Sequence, residues 1–309
     1  MLEAEQEKDV KNFSDKVAFI TGGGNGVGLG QAKVFAQAGA RVVIADIRED
    51  SLDQAMQFFH KTDMTVHPIV LDITDREAFS RAADETESVF GPVQLLFNTA
   101  GVSIFGPLEK STYDDYDWQM GVNFGGVVNG IQTFVPRMIE YGQGGHIVNT
   151  SSMGGIISAG PAGIYCAAKF AVRGLSEALR QELEKFNIGV SVLCPANVNT
   201  NIAESVVTRP PEFSNSGYHF DDDVLASLRK IYSAGKDPVE LAEDVLKGVR
   251  ENNLYIIPYP EVRQGLQNHF ADIIASLPPE DADPDGVAKR EAAMAEYRKD
   301  LTAQQYEDH

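Results

Sequence analysis

The chain has 309 residues, 43% of them hydrophobic, with a mean hydropathy of −0.19 and a formal net charge of −19. This length suits one large or two small domains, and the acidic balance leaves no basic surface for phosphates, so we expect no nucleic-acid partner. No apolar run approaches a membrane span or the core of a signal peptide. The cysteines and histidines lack the spacing of a disulfide frame or a metal site. We therefore expect a cytoplasmic protein with no metal and no membrane contact.

Short apolar runs alternate with longer amphipathic segments along most of the chain. The apolar runs predict strands at 17–20, 41–45, 66–71, 93–97, 146–150, 190–193 and 254–257. The other segments predict helices that end near residues 38, 61, 90, 141, 186, 250, 277 and 304. Strands that are apolar throughout indicate a parallel sheet covered on both faces. The pattern predicts an α/β fold with a doubly wound parallel sheet of the Rossmann type.

The stretch 201–235 breaks this alternation. It is rich in serine, proline and aromatic residues, and an insertion of this length in a compact domain typically covers a substrate. Its side chains Phe213, Tyr218 and Phe220 either line an aromatic substrate pocket or anchor the loop. Arg209 either reaches polar substrate groups or belongs to a solvated loop.

We assign residues 12–277 to one domain and 278–309 to an acidic C-terminal extension. The proline- and aspartate-rich stretch 278–286 reads as the linker between them. The helix predicted beyond it packs on the body, lies across a subunit boundary or forms a loosely attached tail.

A glycine-rich segment follows the first predicted strand. Residues 21–28 read T-G-x-x-x-G-x-G, between a strand and a helix. Glycine lets the chain turn sharply, brings backbone N–H groups close to a pyrophosphate and starts a helix whose N-terminus faces the anion. The segment predicts a dinucleotide cradle, the alternative being a merely flexible turn. The candidate contacts are Gly22, Asn25, Gly26, Val27 and Gly28.

Acidic residues close the next two strands. Asp46 ends the second strand, where a carboxylate accepts hydrogen bonds from an adenosine ribose. A 2′-phosphate would meet a like charge there, so we expect NAD rather than NADP, although Arg48 could turn toward a phosphate. Asp72 and Ile73 follow the third strand and suit the adenine edge, but Asp72 is alternatively a helix N-cap.

Tyr165 and Lys169 have helical spacing. Residues four apart lie on one face of a helix, so the Lys169 ammonium can act on the Tyr165 phenol. A free tyrosine has a pKa of about 10, and a nearby cation favours the phenolate and lowers that value. The pair predicts a general base that takes a proton from an alcohol, or an acid for the reverse step.

These motifs together resemble the short-chain dehydrogenase/reductase family over about 12–257. Residues 98–101 resemble its Asn-Asn-Ala-Gly motif, with Thr99 as a departure, and 195–200 resemble its Pro-Gly motif, with Ala196 in place of glycine. The resemblance implies catalytic roles for Asn123, Ser152, Tyr165 and Lys169. It implies further cofactor contacts from Asn98, Ala100, Gly101, Tyr165, Lys169, Pro195, Val198 and Thr200.

Some of these positions also have plain structural interpretations. Ser152 follows the fifth predicted strand and could cap a turn there. Asn123 could satisfy main-chain groups or kink its helix, because buried asparagines are usually hydrogen-bonded. Cys166, beside Tyr165, is either a small helix residue or a redox-sensitive thiol.

Several segments carry a narrower resemblance. Residues 105–107, 112–115, 201–204 and 254–263 resemble the Cα-dehydrogenases of bacterial lignin β-aryl ether breakdown. This resemblance implies the NAD-dependent oxidation of a hydrophobic secondary alcohol, a benzylic one in a lignin-derived β-aryl ether, to a ketone. It also implies a small aromatic alcohol or ketone as the partner, while the wider family implies a homodimer or homotetramer.

The implied mechanism places the alcohol oxygen between Ser152 and Tyr165. Tyr165 takes the hydroxyl proton while hydride leaves the carbinol carbon for the nicotinamide, and Lys169 holds the phenolate. Two other functions stay open. One is a carbonyl reductase or steroid-type dehydrogenase that works toward reduction with NAD(P), and the other is a regulator that binds the dinucleotide without chemistry.

Overall fold

The computed structural model describes residues 12–307, with side-chain surroundings for residues 12–297. Most of the segment on which the expectation of no signal peptide rests, residues 1–11, lies outside this range. The chain divides into two compact units between Tyr259 and Pro260. The predicted domain limits, 12–277 and 278–309, stay predictions.

The first unit is built on a seven-stranded parallel sheet, which confirms the predicted fold class. Its strands are β1 Val17–Thr21, β2 Arg41–Asp46, β3 Val66–Val70, β4 Val93–Asn98, β5 Gly145–Thr150, β6 Ile188–Leu193 and β7 Tyr255–Ile256. They lie in the order β3-β2-β1-β4-β5-β6-β7, and neighbouring strands are parallel. The order reverses between β1 and β4, where a doubly wound sheet opens a crevice at the carboxyl ends of its strands.

Helices alternate with these strands. They are α1 Gly26–Gln37, α2 Glu49–Phe59, α3 Arg76–Phe90, α4 Tyr113–Met120, α5 Gly126–Tyr141, α6 Gly163–Leu183, α7 Asp222–Ser233 and α8 Pro238–Arg250. Gly142 ends α5 with a φ of 61°, a left-handed conformation that favours glycine. Within residues 12–307, no helix has both the length and the apolar character that a membrane span requires.

Phenylalanine side chains join the sheet to the helices on one side. The Phe19 ring of β1 lies 4.7 Å from the Phe134 ring of α5 and 6.0 Å from the Phe79 ring of α3, between centroids. All three rings are fully buried. Every residue of β1 is buried too, which explains why this run is apolar throughout instead of alternating.

The predicted helix at 112–141 is interrupted. The π-helical turn Gly121–Gly125 separates α4 from α5. A π turn changes the hydrogen-bonding step of the helix locally and is frequent at functional sites. The hydrophobic pattern continues through this turn, so the turn could not be predicted from the pattern.

The predicted loop at 201–235 is partly helical. It contains α7 and the 3₁₀ turns Ile202–Val206 and Pro211–Phe213. Asp221 begins α7 by accepting a hydrogen bond from the Val224 N–H at 2.9 Å. The three acidic residues 221–223 therefore cap this helix and complement its dipole.

The second unit contains two helices, α9 Arg263–Ala275 and α10 Pro284–Glu307. They correspond to the helices predicted to end near residues 277 and 304. Asp283 stands before α10 and accepts from the Gly286 N–H at 3.0 Å. The use of the C-terminal extension stays a prediction.

A buried histidine makes the stability of the first unit depend on pH. His146 of β5 is 1% exposed, and its Nε2 lies 2.8 Å from Ser191 Oγ. Burial, assisted by the charge of Arg180, lowers the pKa of His146 to about 3. Between that value and the ordinary histidine pKa of about 6.5, the unfolded chain binds the extra proton. The free energy of unfolding therefore falls as the pH decreases through this window.

We predict that His146→Gln weakens this pH dependence. Between pH 7 and pH 4 the wild type should lose about 3 kcal/mol more unfolding free energy than the variant does, measured by urea denaturation at each pH. His60→Gln, at the exposed end of α2, is the control and should follow the wild type. Equal pH dependence in the wild type and His146→Gln would contradict this assignment.

Candidate active site

A cleft of about 550 Å³ opens at the carboxyl ends of the first four strands. Segments that follow β1, β2, β3 and β4 form one side, and α4 together with residues 200–213 contributes to the other. Many of the predicted cofactor contacts line it, namely Gly22, Asn25, Gly26, Val27, Gly28, Asp46, Asp72, Ile73, Ala100, Gly101 and Thr200. Asn98, Tyr165, Lys169, Pro195 and Val198 do not line this cleft.

The glycine-rich segment is closely packed. Gly22 has a φ of 67° and Gly26 a φ of 50°, which glycine adopts most readily. A Cβ atom at Gly28 would lie 2.2 Å from the Gly22 carbonyl oxygen, so only glycine fits this turn. The Asn25 side chain accepts from the Gly26 N–H at 2.6 Å, where α1 begins. The segment is therefore a fixed turn with backbone open to the cleft, and these features fit a dinucleotide pyrophosphate.

Asp46 lies at the end of β2 with both carboxylate oxygens engaged. It accepts from the Gly24 N–H at 3.1 Å and from the Arg48 N–H at 3.0 Å. Burial raises the pKa of Asp46 above its ordinary value, and these hydrogen bonds oppose the rise. The Arg48 guanidinium turns away to Asp50, at 2.6 Å. The acidic group is thus fixed in the cleft, while the cation that could receive a phosphate is already paired.

Asp72 forms a local turn and does not cap a helix. It accepts from the Thr74 N–H at 2.8 Å and from the Thr74 hydroxyl at 2.7 Å. The cap of α3 is Asp75, which accepts from the Ala78 N–H at 2.9 Å. The N-cap interpretation of Asp72 is therefore wrong, and its place on the cleft suits the predicted adenine contact.

The structure brings Ser152, Tyr165 and Lys169 together. The Ser152 hydroxyl lies beside the Tyr165 phenol, close enough to favour its ionised form. The Lys169 Nζ lies 5.7 Å from the centroid of the Tyr165 ring and donates to the Thr150 carbonyl at 2.9 Å. Lys169 is 3% exposed. A hydroxyl, a phenol and a buried ammonium thus form one group.

Burial dominates the ionisation of this group. It raises the pKa of Tyr165 to about 12, against the opposing effect of the Ser152 hydroxyl, and lowers the pKa of Lys169 to about 8. We expected Lys169 to lower the Tyr165 pKa, and that expectation is wrong for the structure described. The physical reason is that enclosing the phenol disfavours its charged form more than its neighbours favour it.

Ser152 has its structural role as well. Its hydroxyl oxygen accepts from the Gly154 N–H at 3.1 Å, which starts a short 3₁₀ turn, and its hydroxyl lies 3.4 Å from the Pro195 carbonyl. The turn cap and the contact with Tyr165 therefore coexist. These contacts fix the serine between the ends of β5 and β6.

Asn123 lies inside the π turn and is fully buried. Its side chain accepts from the Val102 N–H and donates to the Val102 carbonyl, both at 2.9 Å. A Cβ atom at Gly101 would lie 2.8 Å from the Asn123 oxygen and 3.5 Å from Lys169 Nζ. The asparagine side chain thus satisfies main chain, as its structural interpretation expected, and sits beside the lysine.

The ends of β4 and β5 are tied by buried polar side chains. Asn98 is 2% exposed and donates to Asn149 at 2.8 Å, so it bridges the strands inside the protein. Thr21 Oγ1 accepts from the N–H groups of Thr99 and Ala100, at 2.9 and 3.1 Å. The Thr99 hydroxyl donates to a buried glutamine oxygen on α1. The threonine that departs from the family motif is therefore fully engaged in holding this loop.

The segment after β6 returns to the glycine turn. Pro195 accepts from the Met153 N–H at 2.8 Å, and Val198 forms a β-bridge with Lys236. A Cβ atom at Gly26 would lie 2.9 Å from Thr200 Cγ2. Thr200 therefore lies against the start of α1, on the cleft.

The aromatic side chains of the substrate loop anchor it. Tyr218 is 8% exposed and packs with Ile104 and Trp118, and Phe213 and Phe220 pack against this cluster while partly buried. Phe213 also lines the cleft. All three side chains therefore anchor the loop, and Phe213 alone of the three also reaches the cleft. A role in binding an aromatic substrate stays a prediction.

Sequence reasoning missed two residues beside the site. Tyr232 of α7 lies near Ser103, and its phenol adds to the rise that burial causes in the Tyr165 pKa. Asp115 of α4 receives Arg209 at 2.5 Å, so the arginine is paired and not solvated. The Thr112-x-x-Asp115 spacing of a capping box was the available signal for the aspartate.

Among the described residues, no group of three or more histidine, cysteine, aspartate or glutamate side chains is arranged to hold a metal ion. Both cysteines, Cys166 and Cys194, are buried and free.

Comparison with known proteins gives a consistent result. The family model of the short chain dehydrogenases matches residues 16–210. The C alpha-dehydrogenase of Sphingobium sp. (strain NBRC 103272 / SYK-6) is 53% identical over 294 residues, which cover 95% of this chain and 96% of the relative.

Solved structures agree with this match. The apo form of LigD from Sphingobium sp. strain SYK-6 is 51% identical, covers 86% of this chain and 99% of its own, and has a TM-score of 0.73. A short chain dehydrogenase/reductase from Burkholderia phymatum in complex with NAD is 33% identical, covers 87% of this chain and 98% of its own, and has a TM-score of 0.81. The chain belongs to the short-chain dehydrogenase/reductase family.

Proposed function

We propose that this protein oxidises a hydrophobic secondary alcohol to a ketone with NAD, and that its substrate is the benzylic carbinol of a lignin-derived β-aryl ether. The observation that carries the reaction type is the Ser152 hydroxyl beside the Tyr165 phenol, with the buried Lys169 ammonium 5.7 Å from the centroid of the phenol ring. The similarity to a C alpha-dehydrogenase over nearly the whole chain supports the substrate.

The residues around the cleft suit NAD. The glycine turn with the start of α1 would hold its pyrophosphate, Asp46 its adenosine ribose, Asp72 and Ile73 its adenine, and Val198 and Thr200 its carboxamide. When bound, NAD supplies the acceptor for the hydride that leaves the carbinol carbon. We propose NAD over NADP because Asp46 would repel a 2′-phosphate and Arg48 is paired with Asp50.

Tyr165 is the proposed proton acceptor. Its ionised form, the phenolate, takes the proton of the alcohol hydroxyl, and Ser152 fixes the alcohol oxygen against it. The raised pKa of Tyr165, about 12, means that the phenolate needs positive charge nearby. Lys169, with a pKa of about 8, is predominantly an ammonium at neutral pH and supplies such a charge.

We propose a supporting role for Asn123. Its two hydrogen bonds to Val102 hold the loop after β4, and that loop carries Gly101 against Lys169. Asn123 thereby positions the ammonium. A cytoplasmic location and a homodimer or homotetramer complete the proposal, and light scattering after size-exclusion chromatography measures the latter.

Turnover of a substrate panel tests the proposed function. Purified protein with NAD is offered a guaiacylglycerol β-aryl ether, a simple benzylic alcohol and a hydroxysteroid, and NADH formation is followed by absorbance. We expect the highest kcat/KM with the aryl ether. Preference for the steroid, or efficient turnover only as ketone reduction with NADPH, would favour the carbonyl reductase alternative. NAD binding without any turnover would favour the regulator.

We predict that Tyr165→Phe removes turnover and leaves cofactor binding nearly intact. Loss of the proton acceptor should lower kcat by about 10²-fold or more, while the NAD dissociation constant from protein fluorescence stays close to that of the wild type. Tyr113→Phe, at a position 87% exposed, is the matched control. Parallel losses of turnover and NAD binding in Tyr165→Phe would refute the assignment.

We predict that Asp46→Asn shifts cofactor preference toward NADP. The amide keeps a similar shape but removes the charge that would repel a 2′-phosphate and strengthen a ribose hydrogen bond. The ratio of kcat/KM with NAD to that with NADP should fall about tenfold or more. Asp53→Asn, on the exposed face of α2, should leave the ratio unchanged. An unaltered ratio in Asp46→Asn would remove Asp46 from cofactor selection.

A further inference from the structure

A buried ion pair joins α4 to the substrate loop. Asp115 is fully buried, and Arg209 is 8% exposed as a side chain. Their closest atoms, Asp115 Oδ1 and Arg209 Nη1, lie 2.5 Å apart. Asp115 also accepts from the Thr112 N–H at 2.9 Å and from the Ser216 hydroxyl at 2.7 Å. One carboxylate therefore holds both its own helix and the distant loop.

Asp115 and its neighbour Asp114 together hold the main chain of the loop around residues 215–217. The Gly217 N–H donates to Asp115 at 3.2 Å, and the Asn215 N–H donates to neighbouring Asp114 at 3.1 Å. The Arg209 Nε donates to the Phe213 carbonyl. Residues 209–218, the latched segment, are thus held against α4 by their main chain as well as by the charge pair.

Stability alone is a weak explanation for this arrangement. A buried ion pair often stabilises no more than an apolar pair of the same volume, because both charges lose their hydration. In the described structure Arg209 Nη2 is also buried without a hydrogen-bond partner. An ion pair with an unsatisfied polar group points to a role in fixing the position of the loop. The latched segment contributes Pro210 and Phe213 to the lining of the cleft, so its position shapes the cleft.

The latched segment forms an apolar wall of the cleft. The Arg209 guanidinium carbon lies 5.2 Å from the centroid of the Trp118 ring, and Trp118 is 3% exposed. Apolar residues that line the cleft include Val102, Trp118, Val122, Ile202, Pro210 and Phe213. Flat and branched apolar side chains of this kind suit an aryl ring, which packs by offset or edge contacts on aromatic neighbours.

The charges around this wall disfavour an anionic ligand. Asp117, Glu204 and Glu212 line the same cleft. Arg209 is engaged by Asp115, and Arg229 of α7 by Glu204 at 2.7 Å. An aryl carboxylate would bring a like charge against this acidic lining, whereas an uncharged ring would not.

We propose that the Asp115–Arg209 pair positions the latched segment so that it forms, with Trp118, a subsite for an uncharged aryl ring of the substrate. This inference rests on the proposed function and extends it to a second point of substrate recognition. Asp115 and Arg209 act through the wall that they hold. Their loss should therefore affect recognition of a two-ring substrate more than the chemical step.

The test compares a two-ring β-aryl ether alcohol with a one-ring benzylic alcohol. The variants are Arg209→Met and the double variant Asp115→Asn/Arg209→Met, which leaves neither charge buried alone and so keeps the test open if the single variant fails to fold. We expect the ratio of kcat/KM between the two-ring and one-ring alcohols to fall about tenfold or more, through KM rather than kcat. Arg137→Met is the matched control. This arginine is likewise held in ion pairs, with Asp84 and Glu87, but it does not line the cleft.

Trp118 gives a readout that does not require turnover. It is the single tryptophan of the chain, so protein fluorescence from tryptophan reports this wall alone. The two-ring alcohol should quench it in the wild type and in Arg137→Met, and about tenfold more weakly in the double variant at the same concentration. An aryl ether that carries a carboxylate should bind about tenfold more weakly than its uncharged analogue.

The outcomes separate this inference from the proposed function. The subsite would be overturned if a folded double variant kept both the two-ring to one-ring kcat/KM ratio and the quenching of Trp118 fluorescence. Equal binding of the carboxylate-bearing ether and its uncharged analogue would overturn it too. If the wild type turns over neither alcohol while Trp118 is still quenched and the variants lose that quenching, the subsite is supported and the proposed reaction is contradicted.

Discussion

The site depends on one constraint, the burial of the Lys169 ammonium beside the Tyr165 phenol. Lys169 donates to the Thr150 carbonyl at 2.9 Å and is 3% exposed. Burial disfavours the charged form of each group, so it lowers the pKa of Lys169 and raises that of Tyr165. Each group can be ionised most easily when the other is, because opposite charges stabilise each other where water is excluded. The pKa of such a proton acceptor responds strongly to any further charge brought close to it.

The parallel sheet places these groups with few local sequence requirements. The end of β5 supplies the Thr150 carbonyl and Ser152, and the end of β6 supplies the Pro195 carbonyl that Ser152 approaches. The strands are in register from Gly145 opposite Ile188 to Thr150 opposite Leu193, so their carboxyl ends meet at the same edge. The helix α6 then brings the tyrosine and lysine from one side. Chemistry at this edge thus follows from the order of the strands.

The strands of the sheet and the Tyr165–Lys169 pair could be predicted from the sequence, because both depend on local sequence patterns. Apolar runs located the seven strands, and helical spacing paired Tyr165 with Lys169. The missed features depend on contacts between distant residues. Asp115 and Arg209 are 94 positions apart, and nothing near either residue specifies the other. The π turn around Asn123 leaves the hydrophobic pattern intact, so the pattern does not reveal it. The stretch 201–235 was predicted as a loop, and the structure shows that Asp221 caps a helix within it. The pKa of Tyr165 depends on enclosure by the whole fold, so spacing suggested the wrong direction.

The ionisation of Tyr165 with and without oxidised NAD tests the central claim most directly. The tyrosinate absorbance of the wild type, after subtraction of that of Tyr165→Phe, isolates this phenol across a pH titration. We predict an apparent pKa of about 12 for the protein alone. With oxidised NAD present the apparent pKa should be lower by about 1–3 units, because a cation close to the phenol favours the phenolate. The same apparent pKa in both titrations would contradict the assignment of Tyr165 as the charge-dependent proton acceptor.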